Sequence, residues 1–504
     1  MESGAPLRQV LRNTLWNIGG QVFSFLVQFV TLPWIVHGVG VAAFGVWGLI
    51  GVLLSYFAFL DLSLRLAVVR FVSQGMTRED AAGVRQAVWS AVWILGLQSL
   101  AGLVVLILLT RPLFQHVFAI PAGWYRVAAW VFWVRAAGFL LELMTGLFRA
   151  VPVALQRMDR VIRRTALLTF IQSVGLAGMA QLGWGLLRMA TWVLLMQVVS
   201  LGVFYRLALR MVPDLRLPAW DKATARSLLR FGGWSTVSYL VEPVLLHTEK
   251  LLIGRWAGVA QLTYYVVPYQ LVTRLWSVTT GFSTALLPAL SETDARRDQV
   301  AQQDLTLQSI RIISGVMAWP VLLMVVFARP LLTFWMGREF AERGTIPLQV
   351  LAVGLWINVI NWPVFALFQA KGRPDRPALY HLGEACVYVP LAYVGVRVLG
   401  LPGAALAWTL RMALDSYLLL RGSVRAGFLP ARGLGSALAN PLAVTALLAG
   451  LSLGALQTWT ARPAFVLTAT AGWLVLGAYT FWNRVLPPQE RRQFLRFWTR
   501  WFEA

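Results

Sequence analysis

The apolar positions of this chain form long, nearly continuous runs separated by short polar segments. Residues 97–109 and 438–456 show this clearly, because neither has the alternation of apolar and polar positions that a β-barrel strand needs. A helix of about 20 apolar residues crosses the hydrocarbon core of a bilayer, where only helices or closed barrels satisfy the backbone. The pattern therefore predicts an all-α polytopic membrane protein.

Hydropathy along the chain predicts about fourteen transmembrane helices. In chain order they are expected at 11–36, 44–71, 86–110, 124–149, 161–183, 189–210, 229–254, 263–290, 309–328, 346–369, 378–398, 402–421, 437–457 and 464–484. The first twelve lie in an internal repeat, and the last two lie outside it.

The repeat consists of two copies of one six-helix pattern. A shift of 218 residues places Gly40-Val41-Ala42 on Gly258-Val259-Ala260, and Arg111-Pro112-Leu113 on Arg329-Pro330-Leu331. Because each copy has an even number of spans, both copies share one orientation, and substrate is expected to bind between them. The predicted domains are an N-terminal bundle at 1–212, a cytoplasmic linker at 213–226, a C-terminal bundle at 227–425, and two extra helices with a basic amphipathic tail at 426–504.

Composition and charge support a membrane location. The 504 residues are 58% hydrophobic and 13% charged, with a mean hydropathy of +0.66, which is too apolar for a water-soluble globule. The net charge of +23 would also suit nucleic acid, but Lys and Arg recur at the ends of apolar segments instead of forming one tract, so no nucleic-acid partner is expected. Of the 44 Lys and Arg, 30 fall on the side of the N-terminus and nine on the other, which predicts that both termini are cytoplasmic.

Five basic residues fall inside predicted spans, where each costs roughly 2.5–3.5 kcal/mol on insertion scales. They are Arg65, Arg135, Lys250, Arg274 and Arg411. Asp61 and Arg65 are four residues apart, which suits a structural ion pair or, for Arg65, a place in a cavity. Arg411 and Asp415 have the same spacing, and a structural pair is favoured there. Arg274 has no acidic residue within a turn, so its partner is expected elsewhere in the fold or in the substrate.

Acidic residues in the spans are candidates for ion coupling or gating. Arg135, Glu142 and Arg149 recur every seven residues on one helical stripe, which either packs within its bundle or serves substrate and ions. Glu242 precedes Pro243, which removes a backbone hydrogen bond beside a carboxylate, and is the leading candidate. The following Glu249 and Lys250 are expected nearer the outer interface, within reach of water.

Motifs of soluble enzymes are absent from the sequence. It has no Walker loop, no dinucleotide-binding glycine pattern after a strand, and no paired His or Cys spacing for a metal. Cys386 is the single cysteine, so no intramolecular disulfide forms. We therefore expect no enzyme, no cofactor and no metal.

Two segments resemble a known family. Residues 40–74, GVAAFGVWGLIGVLLSYFAFLDLSLRLAVVRFVSQ, resemble the second-helix signature of polysaccharide biosynthesis flippases in the multidrug/oligosaccharidyl-lipid/polysaccharide exporter superfamily. Residues 328–376, with ARPLLTFWMG and QAKGRPDR, resemble the corresponding region of the second half. With the repeat, the resemblance covers residues 8–425. Ser63 departs from it, because that helix commonly has glycine there.

The resemblance implies a flippase in the cell inner membrane. Two six-helix bundles arranged as a V would open alternately and move an undecaprenyl-pyrophosphate-linked oligosaccharide, an O-antigen or exopolysaccharide repeat unit, from the cytoplasmic to the periplasmic leaflet. Cavity arginines would bind the pyrophosphate: Arg65 and Arg274, then Arg135 and Arg411. The expected coupling or gating residues are Glu242, Glu142 and Asp61. Expected partners are the lipid-linked oligosaccharide, membrane lipid, a coupling proton or sodium ion, and polysaccharide polymerase machinery.

Other functions stay open at this point. A lipid II flippase would share the architecture and an anionic substrate. A multidrug antiporter is less favoured, because cationic drugs suit a cavity dominated by acids. A membrane enzyme of envelope-sugar transfer would need a large periplasmic loop or a carboxylate cluster, and the longest outer loop, about 329–345, is short. A scaffold would have little reason to keep Arg274 at mid-membrane.

Overall fold

The predicted spans are helices throughout the part of the chain that the computed structural model describes. This part comprises residues 4–57, 59–117, 120, 122–435 and 437–439, together with residues 472, 475 and 479. Side chains are described for the same residues except 4–15, 59–63, 116–117, 122, 230–240 and 285. No strand occurs among these residues, so the predicted all-α class is confirmed.

Fifteen helices are described. In the first half of the chain they are α1 (Gly4–Val39), α2 (Val41–Ser55), α3 (Phe59–Thr77), α4 (Ala81–Pro112), α5 (Ala122–Ala154), α6 (Met158–Gln181) and α7 (Leu186–Met211). Then follow α8 (Lys222–Trp256), α9 (Val259–Thr273), α10 (Trp276–Ala295), α11 (Gln299–Val326), α12 (Ala328–Met336), α13 (Arg338–Val359), α14 (Asn361–Ala370) and α15 (Asp375–Arg425).

Several predicted spans are broken or merged in the structure. The second span is the pair α2 and α3, the eighth is α9 and α10, and the tenth is α13 and α14. The eleventh and twelfth spans are the two legs of α15, which is kinked at Gly400 (φ 64°, ψ −133°). Seven segments in the described part are long and apolar enough to cross a membrane by themselves. The total of fourteen stays a prediction, because 437–457, 464–484 and the basic tail fall almost wholly outside the described residues.

The helices present apolar side chains outward. On α4, Leu97, Leu100 and Leu108 are 72%, 60% and 70% exposed, although the same helix buries Val88 and Leu95 on its other side. A helix that is apolar on every side needs lipid as its solvent. The protein is therefore a multi-pass membrane protein.

The internal repeat extends to the backbone. Helices α2 and α9 begin and end at positions 218 apart, and each follows a glycine with positive φ, Gly40 (85°) and Gly258 (92°). The helix starts of α4 and α11 carry matching caps: Asp80 accepts a hydrogen bond from the amide of Gly83 at 2.8 Å, and Asp298 from that of Ala301 at 3.0 Å. Two stretches of nearly unrelated sequence thus fold with the same helix limits.

The chain divides into two compact units, residues 1–263 and 264–504. In unit 1, side chains of α3, α4, α5, α7 and α8 form one core that includes Val68, Val88, Leu147, Phe204 and Leu228. In unit 2, α10, α11, α14 and α15 share a core that includes Leu290, Ile310, Leu367 and Leu419.

The segment predicted as a linker is packed on unit 1. Leu215 is fully buried, and the indole of Trp89 donates a hydrogen bond to its carbonyl oxygen at 3.0 Å. Asp221 caps α8, and hydrogen bonds from the hydroxyl and amide of Thr224 lower the pKa of this carboxyl below its ordinary value. Because α8 packs on α2, α3 and α4, the first unit extends past 213–226 to residue 263. The domain limits given above remain a prediction about the repeat.

Candidate functional site

The three charged residues of the α5 stripe contact different neighbouring residues. The guanidinium of Arg135 lies 4.1 Å from the ring centre of Trp47 on α2, a cation–π contact. Arg149 lies 5.8 Å from the ring of Phe204 on α7. Glu142 is exposed, and the side-chain amide of Gln197 lies 3.5 Å from its carboxylate. The stripe therefore packs largely within its own unit, and Glu142 is its most accessible member.

The charges of α3 are only partly described. Arg65 is half-buried. The side chain of Asp61 lies outside the described residues, so the ion pair expected between the two stays a prediction.

Arg274 lies where its span is interrupted. It follows the last residue of α9, and α10 begins at Trp276, so Arg274 occupies the turn between them. Its carbonyl accepts a hydrogen bond from Ser277 Oγ at 2.8 Å, and its side chain is exposed. Hydropathy predicts one continuous span over 263–290, with Arg274 inside it. The break instead gives its side chain an open setting.

Glu242 lies on a helix that is continuous through Pro243. Helix α8 runs from Lys222 to Trp256, Pro243 is buried, and Glu242 is exposed. The carboxylate is thus accessible, and its role in coupling stays a prediction.

One group of titratable side chains on α8, here called the α8 cluster, consists of the buried Glu249 and Lys250 and the partly buried His247. Glu249 and Lys250 are 0% and 2% exposed, so the expectation that they lie within reach of water is wrong. Lys250 Nζ donates to Glu249 Oε1 at 2.8 Å and to the carbonyl of Leu246, and it lies 3.3 Å from His247 Nδ1. Packing of α8 against α2, α3 and α4 accounts for the burial, which hydropathy alone cannot foresee.

A second group, here called the α15 cluster, consists of His381, Glu384, Arg411 and Asp415. The kink at Gly400 turns α15 back on itself, and a Cβ atom on Gly403 would lie only 1.9 Å from the carbonyl oxygen of Gly395. The close approach of the two legs brings together side chains that are 27 to 34 positions apart.

Three of the four side chains of the α15 cluster, Glu384, Arg411 and Asp415, are buried. Arg411 Nη1 lies 3.9 Å from Glu384 Oε2, and His381 Nε2 lies 3.6 Å from Asp415 Oδ1. The partner of Arg411 within ion-pair distance is thus Glu384 on the other leg, rather than the Asp415 expected from the i,i+4 spacing. The Arg411 guanidinium also lies 5.7 Å from the ring of Tyr388. Arg411 is only 6% exposed, so it is far less accessible than Arg274.

Two amides complete the surroundings of Asp415. Asn358 and Asn361, at the junction of α13 and α14, donate to Asp415 Oδ2 at 3.1 Å and 2.7 Å. Among the described residues, His381, Glu384 and Asp415 also offer donor atoms of the types that bind metals, all within 4.8 Å of one another. A divalent ion does not fit this arrangement, because the Arg411 guanidinium already supplies one positive charge to the same carboxylates.

A groove lies between α1 and α6, with a volume of about 630 Å³. Its lining includes Phe23, Ile162 and Leu167, and the Arg163 guanidinium lies 4.6 Å from the ring of Trp16. An apolar lining with one cation at its edge suits contact with membrane lipid.

Similarity to known proteins agrees with this architecture. The family model for polysaccharide biosynthesis proteins matches residues 39–344. A protein of Shigella flexneri named "Putative O-antigen transporter" is 22% identical over 417 residues, which cover 81% of this chain and 96% of that protein. "Uncharacterized membrane protein EpsK" of Bacillus subtilis is 24% identical, over 79% of this chain and 80% of that protein.

Solved structures share the fold. An inward-facing multidrug resistance MATE family transporter of the MOP superfamily aligns with a TM-score of 0.70 at 15% identity, covering 82% of this chain and 98% of that structure. A MOP superfamily transporter from Pyrococcus furiosus, described as having a binding pocket of reverse polarity, aligns with a TM-score of 0.62 at 17% identity, over 83% and 96% of the two chains. At such identities the likeness concerns the fold. Because the family model matches more than half of a chain with this transporter-type helical fold, the protein belongs to the family of polysaccharide biosynthesis membrane proteins.

Proposed function

We propose that this protein is a flippase for an undecaprenyl-pyrophosphate-linked oligosaccharide, which it moves from the cytoplasmic to the periplasmic leaflet of the inner membrane by alternating access. The observation that carries the proposal is the family match over residues 39–344 on a transporter-type fold. The relative named for O-antigen transport supports the class of substrate. Family and fold neighbours both point to transport rather than to catalysis.

Cations within the spans support an anionic substrate. Arg274 is exposed at the break between α9 and α10, and Arg65 is half-buried on α3. We assign each of them to the phosphate groups of the lipid carrier, because a guanidinium presents paired donors that match phosphate oxygens. Arg135, stacked on Trp47, is a secondary ligand in this proposal.

Topology and coupling complete the proposal. The excess of Lys and Arg in one set of loops supports a topology with both termini in the cytoplasm. A cation gradient drives the cycle, and Glu142 and Glu242 are accessible carboxylates that can take part in it. Polymerase machinery consumes the flipped repeat unit on the periplasmic side.

Reconstitution in liposomes tests the proposal. A fluorescent lipid-pyrophosphate oligosaccharide is added, and its exchange between leaflets is followed for wild type, Arg274→Ala, Arg65→Ala and the charge-conserving Arg274→Lys. Removing a charge-assisted hydrogen bond costs about 1.5–3 kcal/mol, so we expect transport at limiting substrate to fall by roughly 10- to 100-fold in the alanine variants and less in Arg274→Lys. Arg296→Ala is the matched control, because Arg296 is an exposed arginine at the end of α10 that pairs with Glu292 at 2.6 Å.

Transport of three compounds, the oligosaccharide carrier, a lipid II analogue and a cationic dye, distinguishes the alternative functions. Exchange of the oligosaccharide carrier, but not of a lipid II analogue or a cationic dye, supports the proposal. If wild-type protein moves only the lipid II analogue, the proposed substrate is wrong. Alanine variants that transport as well as Arg296→Ala contradict the assignment of the arginines and leave the flippase function standing.

A further inference from the structure

The α15 cluster carries an unbalanced charge. Glu384 and Asp415 bring two carboxylates, and among the described residues Arg411 is the permanent cation within ion-pair distance of them. Glu384 is 0% exposed and Asp415 is 6% exposed. With His381 neutral, two ionised carboxylates would leave one net negative charge inside a membrane protein, which is energetically costly.

The hydrogen bonds divide the two carboxyls into different roles. Both side-chain oxygens of the buried Glu384 lack a hydrogen-bond partner, and so does Asp415 Oδ1. The other oxygen of Asp415 accepts from Asn358 and Asn361, which favours the ionised form of that residue. Glu384 receives only the longer contact from Arg411, at 3.9 Å. A proton on Glu384 would give it a hydroxyl donor facing the free oxygen of Asp415.

His381 connects this pair with the surroundings. Its side chain is 34% exposed, whereas those of Glu384 and Arg411 are 0% and 7% exposed. It precedes Glu384 by three residues on the same helix face and lies 3.6 Å from Asp415 Oδ1. It is also only six residues from the first residue of α15, so it stands between the helix end and the buried acids.

Charge and geometry favour a proton over a metal cation. In the part of the chain that the structure describes, the groups that face the two carboxyls are His381 and Arg411 from the legs of α15, with Tyr388 beside Arg411, and Asn358 and Asn361 from α13 and α14. One added positive charge makes the cluster neutral. A metal ion would need several oxygens arranged around it next to a guanidinium, whereas a proton needs one donor and one acceptor.

We propose that the α15 cluster is an exchangeable proton site, in which Glu384 holds one proton toward Asp415 and exchanges it through His381. In this step the Nε2–H bond of protonated His381 breaks, an O–H bond forms on the carboxyl pair, and no electron transfer occurs. Binding and release of this proton switch unit 2 between a neutral and a charged interior. The further claim that this switch drives transport rests on the proposed flippase function.

Infrared difference spectroscopy on the full-length protein in nanodiscs tests the site independently of transport. The carbonyl stretch of a protonated carboxyl is recorded across pH steps for wild type, Glu384→Gln, Asp415→Asn and the control Glu292→Gln, an exposed carboxylate in unit 2. We expect a titrating band in wild type and Glu292→Gln, its loss in Glu384→Gln, and its shift in Asp415→Asn. Size-exclusion profiles establish that each variant is folded.

A second arm measures coupling in the liposome assay. We expect an imposed pH gradient to change the exchange rate of wild type and Glu292→Gln several-fold, to have no effect on Glu384→Gln, and to have a reduced effect on His381→Gln, which keeps the infrared band. A band that persists in folded Glu384→Gln overturns the proton site. The proton site is also overturned if wild-type protein shows no such band and is instead stabilised by sodium ions, with that stabilisation lost in Glu384→Gln. If the band behaves as expected but no lipid-linked substrate moves, the proton site stands and the flippase proposal fails.

Discussion

The α8 cluster of unit 1 and the α15 cluster of unit 2 bury charge in opposite ways. In the α8 cluster, Lys250 contacts a carboxylate, a carbonyl and a histidine nitrogen at once, so its ammonium group has three polar neighbours. In the α15 cluster, Glu384 is equally inaccessible, yet its oxygens accept no hydrogen bond. An ion pair with balanced charges and complete hydrogen bonding stabilises one structure. A group with more carboxylates than cations, and with acceptors that lack donors, is sensitive to changes in charge around it.

The repeat sharpens this contrast. Glycines with positive φ at Gly183 and Gly400 are 217 positions apart, and the same shift places Leu167, Leu194 and Val198 opposite Glu384, Arg411 and Asp415. Leu167 and Val198 are 58% and 51% exposed, as lipid-facing residues are. The positions that match Glu384, Arg411 and Asp415 are therefore apolar in the first copy, whereas the position that matches His381 is Arg164.

The largest predicted effect concerns the α8 cluster. Lys250→Met leaves Glu249 buried without its cation, so we expect a loss of about 3–5 kcal/mol in the free energy of unfolding. Adding Glu249→Leu should recover most of this loss, because the orphaned charge is then gone as well. Chemical unfolding in detergent measures both variants against Lys222→Met, an exposed lysine at the start of the same helix. A double variant as unstable as the single one would show that packing, not charge, dominates.

The α15 cluster should respond to the same kind of change in a pH-dependent way. Arg411→Met removes the permanent cation from two carboxylates, and we expect a loss of about 1–3 kcal/mol at high pH. Protonation of a carboxylate relieves the repulsion, so the loss should shrink as pH falls. Unfolding curves of wild type and variant at several pH values give the difference in their free energy of unfolding at each pH. Equal losses at all pH values would contradict the contrast drawn between the two clusters.

An intermediate effect is expected at the aromatic support of Arg135. Trp47→Leu removes the ring that lies 4.1 Å from the guanidinium, and a desolvated contact of this kind contributes about 2 kcal/mol. A double-mutant cycle with Arg135→Met isolates the coupling between the two side chains in unfolding measurements. Additive losses from the two substitutions would show that the contact contributes nothing.

The smallest effect tests the symmetry of the repeat. Asp80→Ala and Asp298→Ala remove matching helix caps, and each should cost about 1 kcal/mol. Thermal unfolding of the two variants, with Asp→Asn at each position as a control that keeps a capping oxygen, compares the halves directly. If the two substitutions lower the melting temperature by clearly different amounts, the two caps stabilise the protein unequally although their geometry is the same.

The sequence determined the class of protein, the position of the first twelve spans and the repeat, because hydropathy and helical spacing act over a single element. Within the first twelve spans, the predicted segments are helical, although three turns, at Tyr56, Arg274 and Ile360, interrupt spans that hydropathy joins. The family resemblance was also readable, since it rests on contiguous segments such as 40–74.

Only the tertiary structure decided which charges meet. Glu384 and Arg411 are 27 positions apart, and the kink at Gly400 brings their legs into contact, which no local pattern encodes. Burial of Glu249 and Lys250 depends on the helices that pack against α8, whereas the exposure of Arg274 depends on a break in its span. Hydropathy records the cost of a charge in the membrane, but the partner that offsets the cost comes from another part of the chain.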